Sequence, residues 1–117
     1  MKIHHLIFSI ILIFFISSHS FSTEKDYQVL WCEQQNGIIE YELPDKTRVD
    51  CLTDEYAIEV EFARKWYEAI GQSLYYSIMT GKKPGIALIV KNGDERYLKR
   101  LYRVSEKYNI RIWIIDK

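Results

Sequence analysis

The 117 residues carry 16 Lys and Arg against 16 Asp and Glu, and 48% of them are hydrophobic. That length leaves room for one core and excludes a second sizeable domain, and no repeat, low-complexity tract or linker interrupts the chain. The neutral total hides an uneven balance: from Phe21 to Phe62 eleven acids stand against three bases, and from Ala63 onward twelve bases stand against five acids. An acidic half can hold cations and a basic half phosphates, or the two halves neutralise each other in the fold.

Lys2 opens a short basic region, Leu6 to Ile16 is apolar apart from Ser9, and small residues follow at Ser17, Ser18, Ser20 and Ser22. That order reads as an export signal over residues 1–20, with an uncleaved anchor as the other reading. The apolar run is well short of the roughly 20 residues that a membrane-spanning helix needs. The expectation is a single exported domain over residues 21–117, in the periplasm or beyond, with no stable membrane span. Cys32 and Cys51 both fall in it, and an even count in an exported chain predicts a Cys32–Cys51 disulfide, with free buried thiols as the alternative.

Thr23 can cap a helix over Glu24 to Gln35, with Tyr27, Leu30 and Trp31 on one stripe, and Asn36-Gly37 ends it. Strands are predicted over Ile38 to Leu43, Arg48 to Leu52 and Tyr56 to Phe62, separated by the turns Pro44-Asp45-Lys46 and Thr53-Asp54-Glu55. A long helix over Arg64 to Thr80 carries Trp66, Ile70, Leu74, Ser77 and Ile78 at helical spacing and stops at Gly81. Ile86 to Val90 reads as a strand buried on both faces, Asp94 can cap a helix reaching Tyr108, and Ile110 to Ile115 is the last strand. The class is therefore α/β in the order α-β-β-β-α-β-α-β: an antiparallel meander, then two parallel strands joined by a crossover helix, in one small mixed sheet.

Strand side chains alternate, so Glu40 and Glu42 share one face, as do Glu59 and Glu61, and one register brings Asp50 to the same side. Such a face is either an ordinary wet sheet surface or an oxygen-rich site for a hard cation such as Mg²⁺. On the long helix Lys65, Glu68, Gln72 and Tyr76 form a polar stripe, which reads as a solvated face, a buried structural hydrogen bond, or part of a site. No histidine follows His19, which disfavours histidine acid–base chemistry and typical zinc sites, and no serine sits in a G-x-S-x-G elbow.

The stretch Arg48-Val-Asp-Cys-Leu-Thr-Asp-Glu-Tyr-Ala-Ile-Glu-Val-Glu resembles the core of the PD-(D/E)XK nuclease superfamily, and Gln72-Ser-Leu-Tyr-Tyr76 resembles the Q-x-x-x-Y helix motif of its RecB-like branch. The resemblance covers nearly all of residues 21–117 and implies a restriction-endonuclease-like core. It implies Mg²⁺ or Mn²⁺ held by Asp50 and Glu59, with Glu40 or Glu61 as a further ligand, for metal-assisted phosphodiester hydrolysis. Glu61 stands where the family's lysine is expected, and Lys65 is the candidate to replace it, orienting water or stabilising developing charge. Gln72 and Tyr76 would complete the catalytic set, and Arg64, Lys82 and Lys83 would hold a nucleic-acid backbone, DNA before RNA, with little sequence specificity. The Lys99, Arg100, Arg103 and Lys107 run reads instead as a solvated helix face. The leading expectation is thus an exported bacterial metal-dependent nuclease. Its alternative is a catalytically inactive nuclease fold acting as a binding or interaction module in the cell envelope.

Overall fold

The computed structural model describes residues 23–117, so the export signal expected over residues 1–20 lies outside the described residues. Helix α1 (Glu24–Gln34) begins where Thr23 leaves extended backbone, and its hydroxyl accepts the Asp26 N–H at 3.3 Å while the Asp26 carboxylate accepts the Thr23 N–H at 3.4 Å. This reciprocal cap satisfies two backbone donors that a helix start otherwise leaves open. Strands β1 (Ile38–Glu42), β2 (Arg48–Leu52) and β3 (Tyr56–Phe62) follow as an antiparallel meander. One turn of 3-10 helix, Ala63–Lys65, leads into α2 (Trp66–Thr80), and Gly81 ends it with φ of 70°, a left-handed conformation that costs glycine little. Strand β4 (Lys83–Val90), helix α3 (Glu95–Tyr108) and strand β5 (Arg111–Asp116) complete the chain.

The sheet runs β1-β2-β3-β4-β5, antiparallel through β3 and parallel from β3 to β5. The described residues thus form a mixed α/β architecture with five strands and three α-helices. One face packs on α1, where Trp31 and Cys32 meet Cys51, Ile58, Val60, Ala87 and Ile89. On the other, Ala69 of α2 and Leu101 of α3 meet Ile86 and Leu88. β4 is therefore buried on both faces, as its solid apolar run predicts.

Three expectations need correction. Leu30 does not join the inward stripe of α1 but is 44% exposed, and Gln28, one turn before Cys32, is buried instead. Ile78 is 79% exposed, because α2 turns the small residues Ala69 and Ser73 to the core beside Tyr76. Asp94 precedes α3 without capping it; its carboxylate accepts the Lys91 N–H at 3.0 Å.

The expected Cys32–Cys51 disulfide is present and ties α1 to β2 across a Cα–Cα distance of 5.6 Å. Gly37 belongs to the same device. A Cβ there would lie 2.4 Å from the Cys51 sulfur and 2.7 Å from the Cys32 sulfur, so the chain passes the bridge only without a side chain.

Candidate functional site

Regular pairing of β2 with β3 covers Cys51 with Ile58 and Leu52 with Ala57. At Asp50 side chains take over from the backbone ladder. The Val60 N–H donates to Asp50 Oδ2 at 2.9 Å, and the Asp50 N–H donates to Glu59 Oε1 at 3.4 Å. Beside them on β1, Glu40 has φ of 53°, a conformation uncommon for a residue with a side chain. Lys25 Nζ donates to Glu40 Oε1 at 2.6 Å, and Gln28 Nε2 reaches the same oxygen at 3.4 Å and the Asp50 carbonyl oxygen at 2.9 Å. Glu61 is buried, and its Oε1 accepts the Phe62 N–H at 3.0 Å.

Burial dominates the electrostatics. It pushes Asp50 up to about 6, against the pull of the Val60 N–H and of the Glu59 carboxyl, which donates to it. It pushes Glu59 up to about 10, reinforced by the Asp50 charge alongside. Glu61 rises to about 8, again mainly from burial and then from Glu24 in the first turn of α1. Near neutral pH Asp50 and Glu59 therefore share one proton as a carboxyl–carboxylate pair. Glu40 moves the other way: the Lys25 ammonium holds it below the usual carboxylate range.

The five-carboxylate face expected from alternation is thus split. Glu59 and Glu61 are buried with Asp50 half-buried beside Glu59, Glu40 is drawn into its Lys25 ion pair, and Glu42 is exposed, 4.0 Å from Lys46. Lys65 sits half-buried at the start of α2, where its charge favours ionised Glu61. The stripe on α2 does not hold together: Tyr76 is buried with Leu43, Val49, Leu52 and Ala57, while Gln72 is exposed. Two contributors were missed, Gln28 and Glu24. Their signal was the one-turn spacing 24, 28, 32 ending on the buried Cys32.

Of the residues expected to hold Mg²⁺ or Mn²⁺, Asp50, Glu59 and Glu61 each give one oxygen to a backbone N–H. Among the described residues no three acidic, histidine or cysteine side chains converge as a metal cage.

The cations divide as well. Lys82 and Lys83 are occupied at the start of β3 and β4, Lys82 Nζ donating to the Asp54 carbonyl at 2.7 Å and Lys83 pairing with Glu55 at 2.9 Å. Arg64 lies at the other end of β3, in a cleft with Lys91, Arg96 and Lys117. Three ion pairs occur among the described residues, and only Lys83–Glu55 joins the acidic half to the basic half. Direct ion pairs therefore do little to neutralise one half with the other. On α3 the inward stripe is Tyr97, Leu98, Leu101, Val104 and Ser105, and Arg96, Lys99, Arg100, Arg103 and Lys107 are exposed on the outer side.

The chain is similar to two putative KilA-N domain-containing proteins of Acanthamoeba polyphaga mimivirus. One is 33% identical over 96 residues, 80% of this chain and 26% of the relative; the other is 32% identical over 100 residues, 85% of this chain and 39% of the relative. The chain thus spans about a quarter to two fifths of the length of these curated relatives. No family model matches it, and no solved structure matches it. The relatives overturn the reading of an exported bacterial metal-dependent nuclease: they are viral, and they are named for a KilA-N domain rather than for hydrolysis, secretion or metal binding.

Among the described residues no helix is long and apolar enough to cross a membrane.

Proposed function

We propose that this domain is a non-catalytic nucleic-acid-binding module that holds the phosphate backbone on the cationic side of α3. The observation that carries the reading is the lack of acidic partners among the described residues: from Lys91 to Lys117 there are eight bases and four acids, and no base among them enters an ion pair there. Unpaired surface cations attract a polyanion and release its condensed counterions on binding. Exposed Tyr102 and Tyr108 lie on the same helix and offer ring faces on which bases can stack. No base-reading arrangement accompanies them, so binding is weakly sequence-specific.

The fold part of the proposal is a restriction-endonuclease-like core in which half-buried Asp50 and buried Glu59 share a proton between β2 and β3, with Glu61 buried on the same strand as Glu59. This agrees with their raised proton affinities and with glutamate standing at position 61. The experiment is fluorescence anisotropy of the full chain with labelled DNA and RNA oligonucleotides over a salt series. Affinity is expected to fall steeply with salt, with the oligonucleotides recovered intact. No binding at low salt overturns the reading.

A further inference from the structure

A cleft of about 290 Å³ opens where β3 and β4 end and α3 begins, and Arg64, Lys91, Arg96 and Lys117 line it. Among the described residues Asp94 is the one acidic side chain in its lining, and that carboxylate already accepts the Lys91 N–H. Aromatic faces rather than carboxylates support the cations. Arg64 and Lys117 lie over the Phe62 ring at 5.0 Å and 4.9 Å, and Arg96 lies over Tyr97 at 4.8 Å with a hydrogen bond to its hydroxyl at 2.9 Å. Ring faces attract cations without neutralising them, so the charge stays available to a ligand.

We propose that this cleft is a phosphate-monoester site. A monoester carries about 1.5 to 2 negative charges near neutral pH and three acceptor oxygens, whereas an internal diester carries one charge. Four cations around one concavity favour the more highly charged group. The volume is at the small end of ligand pockets, enough for a phosphate with part of its sugar. The phosphate comes either from the end of a nucleic-acid strand or from a free mononucleotide. The strand-end source rests on the nucleic-acid reading above, with Arg96 lying on both the cleft and the α3 surface.

The test uses the full chain and three probes: one oligonucleotide with a 5′-phosphate, the same sequence with a 5′-hydroxyl, and free AMP as competitor. The phosphorylated end is expected to bind at least roughly tenfold tighter, the worth of one added charge-assisted hydrogen bond. Arg64→Ala with Lys91→Ala should abolish that preference, so that the phosphorylated and hydroxyl ends bind the variant equally. Both residues are exposed, so the fold should survive, and an unchanged melting temperature checks it. Micromolar AMP binding that is lost in the variant, read by competition or, if neither oligonucleotide binds, by calorimetry, assigns the site to free nucleotides; in the second case it also overturns the nucleic-acid reading. Equal affinity for the two ends without AMP competition overturns the site and leaves that reading standing. No binding of any probe overturns both.

Discussion

The acidic and basic halves of this chain handle charge in opposite ways. Around Asp50 like charges are forced inward, and the molecule tolerates them by keeping protons on carboxyl groups. Along α3 like charges are turned outward, and water and salt screen them. The inward cluster therefore bears on stability and its pH dependence, and the outward one on what the molecule attracts.

Charge reversal on α3 is the strongest way to break this contrast. Lys99→Glu combined with Arg103→Glu should weaken oligonucleotide binding by tenfold or more at low salt and reduce the salt slope by about 2. The melting temperature should hardly move, because both side chains are exposed. A large loss of stability with unchanged binding would reverse the roles assigned to the two regions.

Removing the bridge comes next. Cys32→Ser with Cys51→Ser, or reduction of the disulfide, should cost about 3 kcal/mol by the chain-entropy model, read as a lower midpoint in urea. The mass of the alkylated protein with and without reductant checks that the bond was there.

Glu59→Gln sharpens the acidic side. A carboxyl whose proton affinity is raised in the folded state stabilises the fold fully below its unfolded value, near pH 4. That contribution is lost as the pH rises through the folded values, here about 6 for Asp50 and about 10 for Glu59. The wild type should therefore melt at lower temperature at pH 8 than at pH 5. Glutamine mimics the protonated acid, donating to Asp50 and accepting the Asp50 N–H, so the variant should melt higher at pH 8 and with a flatter pH profile. A wild-type melting point independent of pH between 5 and 8 would contradict the shared proton.

The smallest effect is expected where the halves touch. The Tyr75 hydroxyl donates to Asp45 in the β1–β2 turn, and Lys83 pairs with Glu55, all four residues being exposed. Tyr75→Phe and Lys83→Ala should leave the melting temperature nearly unchanged, since surface pairs of this kind contribute little.

Much of the fold was legible because its signals are local. The cap at Thr23, the turns at Asp45 and Thr53, the solid run Ile86 to Val90 and the stop at Gly81 each name a boundary from neighbouring residues alone. Leu30 and Ile78 were misplaced because helical spacing gives a stripe but not which side a sheet will cover. At the site, alternation correctly put Glu59 beside Glu61. It could not show that Glu40 would leave the ordinary strand conformation and turn to Lys25, or that Tyr76 and Gln72 would part between core and solvent. The α3 cations were read as a solvated face because a sequence does not reveal which charges find partners. The proposed binding surface rests on that missing information.

The strand order has a bearing on assembly. Each strand pairs with the one before it in the chain, so no strand waits for a partner made much later. Contacts of short sequence separation favour fast folding, and a chain emerging from the ribosome can add β4 and then β5 to a meander already formed. Cys32 and Cys51 both lie in that first-made part. A truncated nascent chain ending after Phe62 would already contain both cysteines and all three antiparallel strands. The cationic helix, translated after them, is then mounted on a platform that is ready to receive it.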